Sequence, residues 1–217
     1  MKANVIEKIN ATNQKYLKGL VGKEIPQRLV DQLNNMDWSC LDLIHGSEQK
    51  RGTFAPLGAM ELPEIEAKKE EYKALGLEAI KQCKVAAVLL AGGQGTRLGF
   101  DKAKGMYNIG VTKELYIFEQ LIRNLQKVTD EAGVYVPLYV MTSDKNDTDT
   151  RAFFAEHDYF GYDKDYVKFF VQEMVPSCDY DGNAYMISDT EFAMSPNGNG
   201  GWFTSMIKAG LLEDIHA

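Results

Sequence analysis

The chain has 217 residues, 45% of them hydrophobic and 25% charged, with a net charge of -7 at neutral pH. This length supports one substantial core with a small accessory lobe, and the composition is neither that of a disordered chain nor that of a membrane span. The acidic balance, with no run of lysines and arginines, argues against a nucleic-acid partner, and no apolar run approaches the roughly 20 residues of a membrane helix.

Residues 1 to 44 read as helical, with Val5, Ile6, Ile9, Tyr16, Leu17 and Leu20 on one approximate face. The charges in "MKANVIEKINATNQ" exclude a signal peptide. A second helix starts near Pro26 and carries Leu29, Val30 and Leu33. His45 to Gly58 is polar and glycine-rich, a linker or an exposed ordered loop. Residues 61 to 83 form a charged amphipathic helix with Pro63 near its start. The run Val85 to Leu90 is apolar without alternation, which predicts a central parallel strand buried on both faces. A helix follows over 112 to 133, with Thr112 as its cap, Leu115, Phe118, Ile122 and Leu125 as its stripe and Gly133 beyond its end. Val136 to Ser143 is a strand, 148 to 161 a helix, and Tyr166 to Gln172 a strand. Alternating strands and helices predict an α/β fold with a mainly parallel sheet flanked by helices. Asp181–Gly182 marks a local hairpin, and "PNGNGG", Pro196 to Gly201, feeds a final helix beginning at Trp202.

The cysteines Cys40, Cys83 and Cys178 are far apart and lack a CxxC, so they read as reduced, packed thiols of a cytoplasmic protein. His45, His157 and His216 are scattered, with no metal-binding spacing. The strand ending at Leu90 runs into "AGGQGTRLGF". In open α/β sheets ligands sit beyond the carboxyl ends of the strands. Gly92, Gly93 and Gly95 let the backbone approach a ligand, Arg97 adds a fixed bidentate charge and Lys104 a mobile one. A nucleotide polyphosphate fits that inventory. A Walker loop is excluded because Lys104 precedes Gly105 with no Ser or Thr after it. The dinucleotide fingerprint GxGxxG is missed by one residue, since Gly93, Gly95 and Gly99 give GxGxxxG. A plain glycine turn joining two elements is the competing reading.

The ordered motifs "LLAGGQGTRLG", "KGMYNIG", "MTS", "FFVQEMVPS" and "MSPNGNGG" resemble those of the UDP-sugar pyrophosphorylases, most closely the UDP-N-acetylglucosamine group. The resemblance covers about residues 55 to 217. It implies a Rossmann-like nucleotidyltransferase fold with a helical N-terminal lobe and linker over 1–60 and the catalytic domain over 61–217. It implies transfer of UMP from UTP to a sugar-1-phosphate, N-acetylglucosamine-1-phosphate or glucose-1-phosphate, giving a UDP-sugar and pyrophosphate. By the same resemblance Leu90, Ala91, Gly92 and Gly93 contact the uridine nucleotide, Arg97 and Lys104 face the triphosphate, Gln172 reads uracil, Gly198 lies near the uracil and Asn199 near the sugar. Magnesium is the implied cofactor. Its aspartate belongs to a later "VDN"-type motif that this sequence lacks, so no metal ligand is assigned and the chain reads as a truncated N-terminal portion. A nucleotide-binding fragment without turnover is the alternative. Three positions depart from the family pattern: Ala103 stands for a proline and is expected to loosen the loop presenting Lys104, Asn197 for an aspartate, and Trp202 for a smaller residue beside the sugar region.

Overall fold

The computed structural model describes residues 15–18, 24–35, 52–188 and 190–216. In chain order these form α1 (Lys15–Lys18), α2 (Gln27–Asn35), α3 (Leu62–Ala67), α4 (Lys69–Lys81), β1 (Ala87–Leu90), α5 (Ile117–Ala132), β2 (Leu138–Thr142), α6 (Asp147–Glu156), β3 (Val167–Val171), β4 (Met174–Pro176), β5 (Met186–Ser188), β6 (Glu191–Phe192), β7 (Met194–Pro196), α7 (Trp202–Lys208) and α8 (Leu212–His216), with short 3-10 turns between them. They fall into two compact units, one within Met1–Ala55 and Met174–Asn197, the other within Pro56–Glu173 and Gly198–Ala217.

In the first unit, Leu17 of α1 and Leu29, Val30 and Leu33 of α2 bury against Ala184 and Phe192. The helix near Pro26 is therefore present with the apolar face its spacing implies. The antiparallel pairs β4–β7 and β5–β6 lie in this unit, and the Asp181–Gly182 turn is closed by the Gly182 N–H donating to the Asp179 carbonyl. The expected helix over the rest of 1–44, together with Cys40, His45 and the start of the following loop, lies outside the described residues.

The second unit is built on a parallel sheet in the order β1-β2-β3. On one face Leu138, Val140 and Val167, flanked by Ala87 and Leu89, pack on Phe118 and Ile122 of α5 and Phe153 and Phe154 of α6. On the other, Tyr139, Met141 and Phe170 pack on Met206 of α7. The second layer covers β2 and β3 but leaves Val88 and Leu90 of β1 at 36% and 40% exposure. This corrects the reading of Val85–Leu90 as a central strand: β2 holds the centre and is buried at every residue, and among the described residues β1 is an edge. An apolar run reports that a strand is available for burial; only the neighbours decide whether both faces are covered.

Four boundaries also moved. The charged helix over 61–83 is interrupted at Lys68 into α3 and α4, which bury no side chain. Its start matches: Pro63 sits in the first turn, and the Glu61 N–H donates to the Glu64 carboxylate. Thr112 does not cap α5. The Asn108 side-chain oxygen accepts the N–H groups of Gly110 (2.9 Å) and Leu115 (3.1 Å), holding 108–115 in a turn, and Tyr116 is the residue before the helix. Phe118 and Ile122 face inward as the stripe requires, and Gly133 ends the helix at φ 75°. Finally α6 stops at Glu156, because Asp158, Tyr159 and Phe160 turn left-handed (φ 49°, 50° and 56°) ahead of Gly161. The Phe160 ring packs edge-on against Phe154 at 5.5 Å and its carbonyl accepts from the Gln126 amide, contacts a continued helix would not make. The closing helix is likewise split into α7 and α8 at Gly210, φ 74°.

Candidate nucleotide site

Parallel strands put their carboxyl ends on one edge of the sheet. Here that edge carries the glycine loop after β1, Ser143–Asn146 after β2 and Gln172 after β3. The segments are tied together. Ala91 donates its N–H to the Met141 carbonyl (2.7 Å), and Gln172 donates its own to Thr142 (2.9 Å). Asn146, buried, donates its side-chain amide to the Ala91 carbonyl (3.1 Å) and accepts the Ser143 N–H (2.8 Å).

The loop folds back on itself. Lys104 donates its N–H to the Gly93 carbonyl (3.1 Å) and Gly95 to Lys102 (2.9 Å), making Gln94 and Ala103 an antiparallel pair. Gly93 and Lys104, eleven residues apart in sequence, thus lie side by side. Arg97 is exposed in the 3-10 turn Thr96–Leu98, and its guanidinium makes no hydrogen bond or ion pair among the described residues. Ala103 is fully buried at φ -55°, a value proline also adopts, so the loop carrying Lys104 is closed by main-chain bonds in spite of the substitution.

The glycines divide by role. A Cβ at residue 92 would collide with the Gln172 amide, and one at residue 95 would lie 2.9 Å from the Phe100 carbonyl oxygen. These two glycines make room for the protein's own atoms. At Gly93, by contrast, a Cβ meets open space. The N–H groups of Gly92, Gly93 and Gln94 donate no hydrogen bond among the described residues. Gln172 is 6% exposed, and its amide has no hydrogen-bond partner among the described residues. The largely covered Gln172 keeps its amide tip open beside these consecutive N–H groups, and together they form a polar surface suited to a ligand.

Gly198 takes φ 78°, which requires glycine, and precedes the turn Asn199–Gly201, whose Asn199 is exposed. The turn is joined to the end of β3 by residues that the sequence motifs do not mark. Ser205, 2% exposed, donates its hydroxyl to the Gly201 carbonyl (2.9 Å) and accepts the Glu173 N–H (3.0 Å). Lys208 pairs with the Glu173 carboxylate. Trp202 is half-buried against the Tyr139, Met141, Phe170 and Met206 cluster. The structure therefore brings together Gly92 with Gln172, Gly93 with Lys104, and Gly198–Asn199 with the neighbour of Gln172; Arg97 stands apart. Leu90 ends the exposed edge strand. Asn146 and Ser205 were missed because their partners are main-chain groups 55 and 32 residues away, a relation with no spacing signature.

Among the described residues no three His, Cys, Asp or Glu side chains could jointly hold a metal ion, and no helix is long and apolar enough to cross a membrane.

UDP-N-acetylglucosamine pyrophosphorylase of Saccharomyces cerevisiae is 36% identical over 207 residues, covering 92% of this chain and 43% of that protein. UDP-N-acetylhexosamine pyrophosphorylase-like protein 1 of Xenopus tropicalis is 42% identical over 152 residues, 67% of this chain and 30% of the relative. The crystal structure of the uridine diphosphate N-acetylglucosamine pyrophosphorylase from Trypanosoma brucei in complex with inhibitor superposes with a TM-score of 0.71 at 27% identity, over 94% of this chain and 44% of that one. The chain thus spans less than half the length of the relatives it matches. The family of UTP–glucose-1-phosphate uridylyltransferases matches residues 32–217, and with these motifs in place on a parallel sheet the chain belongs to that family, the UDP-sugar pyrophosphorylases.

Proposed function

We propose that the edge formed by Leu90–Gln94, Lys104 and Gln172 binds the uridine nucleotide of a UTP:sugar-1-phosphate uridylyltransferase. The observation that carries this reading is the Gln172 amide, unpartnered among the described residues and resting on Gly92, beside three consecutive N–H groups that donate no hydrogen bond there. A glutamine amide both donates and accepts, as a pyrimidine edge requires. Free N–H groups suit phosphate oxygens.

In the reaction an oxygen of the sugar-1-phosphate attacks the α-phosphorus of UTP in line. The new P–O bond forms as the bond from the α-phosphorus to the bridging oxygen breaks, and pyrophosphate leaves with the electron pair. No protein nucleophile is needed. Arg97 and Lys104 act as charge donors to the triphosphate, and Lys104 is fixed through its N–H to Gly93. Gly198 and Asn199 take the uracil side and the sugar side of the product. The names of the relatives favour N-acetylglucosamine-1-phosphate over glucose-1-phosphate as the acceptor. Magnesium is the expected cation of such chemistry, but the described residues offer no ligand set for it, and no step is assigned to it.

A second reading is nucleotide binding without turnover, since the described residues offer no ligand set for a catalytic cation. Calorimetry with UTP and UDP-N-acetylglucosamine beside a pyrophosphate-release assay separates the two. Binding with release supports the first, binding without release the second, and no binding overturns both.

A further inference from the structure

Ser205 sits in the second turn counted from Gly201, at the start of α7, with 2% of its surface exposed. A serine in a helix ordinarily returns its hydroxyl to a carbonyl four residues back, and Ser205 does so with Gly201 (2.9 Å). What is not ordinary is the second bond. Its oxygen also accepts the N–H of Glu173 (3.0 Å), 32 residues earlier and immediately after Gln172. The hydroxyl is therefore both donor and acceptor, with both partners on main chain. One partner belongs to the Gly198–Gly201 turn. The other belongs to the peptide unit joining Gln172 to Glu173.

That peptide unit has few other ties to α7. The preceding peptide unit is held on the strand side, through the Gln172 N–H to Thr142 (2.9 Å). On the far side, Lys208 holds the Glu173 side chain, not its backbone. The direction of the Gln172 side chain follows from the orientation of its own peptide units, and its amide finds no partner to hold it among the described residues. The position of the turn follows from where α7 begins. One buried hydroxyl thus sets both.

On the reading that Gln172 faces uracil, we infer that Ser205 is a positioning residue that locks the base-reading glutamine to the glycine turn bearing Asn199, so that base discrimination depends on its hydroxyl. Removal of the hydroxyl leaves a Glu173 N–H and a Gly201 carbonyl without their partner, and the Gln172–Glu173 peptide gains freedom. Uracil and cytosine present opposite hydrogen-bonding groups at the edge that an amide reads, so a glutamine whose backbone is no longer held in place meets that edge out of register and discriminates less between them.

Calorimetry of UTP and CTP binding on the whole 217-residue chain tests this with Ser205→Ala and Ser205→Cys. The expected result for Ser205→Ala is a loss of UTP affinity of about fivefold to tenfold, the size of one buried hydrogen bond, with a smaller loss for CTP, so that the UTP/CTP ratio falls. Ser205→Cys keeps the volume with a weak donor and acceptor and gives an intermediate ratio, which also covers the case in which the alanine variant does not fold. A purely structural role would lower the folded fraction, reducing both affinities by the same factor and leaving the ratio unmoved. An unchanged ratio in the folded variants overturns the inference. Absence of UTP binding by the unaltered chain overturns the uridine-site reading itself, and is seen before any variant is compared.

Discussion

The chain meets its proposed ligand with two glycine-rich segments, and they are held in different ways. The loop Gly92–Lys104 is closed by its own backbone, through the pairing of Gln94 with Ala103 and the bond from Lys104 to Gly93. The turn Gly198–Gly201 has two short-range main-chain bonds, Gly201 N–H to the Gly198 carbonyl (3.3 Å) and Trp202 N–H to the Asn199 carbonyl, and is tied to the end of β3 through Ser205 from the helix behind it. A main-chain closure is indifferent to side-chain identity, which is why Ala103 can stand where the family has proline. A tie through one hydroxyl is not. The first segment is therefore tolerant in its frame and intolerant at the residues facing the ligand; the second is sensitive in its frame.

Substitutions can break or sharpen this contrast. The largest effect is expected from Lys104→Ala, which keeps the loop's main-chain bonds and removes only the charge. It lowers kcat/KM in the pyrophosphate-release assay by about two decades or more, comparable to losing a preorganised donor to a developing charge. Unchanged kinetics would remove Lys104 from the mechanism. Gly92→Ala comes next. The added methyl meets the end of a flexible side chain, so it displaces the Gln172 amide at little structural cost. Uridine nucleotide affinity falls about tenfold while the melting temperature moves by only a few degrees. A large loss of stability with intact affinity would mean that Gly92 serves packing alone.

Gly198→Ala probes the frame of the second segment. At φ 78° an L-residue costs roughly 1–2 kcal/mol, and nothing lies within 4 Å to clash, so denaturant unfolding reads the backbone penalty alone. The smallest effect, and the only gain, is expected from Ala103→Pro. The φ of -55° is already that of proline, and the Ala103 N–H donates no hydrogen bond among the described residues. Stability rises by about 0.4–1 kcal/mol through the unfolded chain, with UTP affinity unchanged. A loss of affinity there would show that the loop must flex, against the rigid closure described here.

Much of this was legible in the sequence, for identifiable reasons. The three strands and their parallel order follow from apolar runs alternating with the α5 and α6 patterns, because the 2.0 and 3.6 periods are local properties. The glycine at 133 and the proline at 26 mark their helix ends by backbone constraints that need no partner. Gly92, Gly93, Arg97 and Lys104 were legible from their chemistry after a strand, whereas Leu90, Ala91, Gln172, Gly198 and Asn199 were singled out only through family resemblance. What failed depended on distant chain. Thr112 is a good local cap, but Asn108 folds the backbone at 110–115 into a turn first. The run at 85–90 is as apolar as a central strand, and its edge position is set by how far the helices reach over the sheet. The sequence reads Gly92 as room for a ligand; that a Cβ there would also collide with Gln172, 80 residues on, is a relation it does not show. Asn146 and Ser205 carry no signature at all, since each bonds to backbone and backbone is common to every residue.

The edge position of β1 has one further consequence. Ala87 and Ala91 turn their N–H groups toward β2, donating to Pro137 and Met141. In a strand successive residues face opposite neighbours, so the N–H and C=O groups of Val88 and Leu90 point outward. Leu90 is also the first residue assigned to the uridine nucleotide. A strand laid along that rim would claim the same two groups of Leu90 that a base or ribose would claim. On the proposed uridine-site reading, a strand paired along that rim and a nucleotide at the site compete for the main-chain groups of one residue.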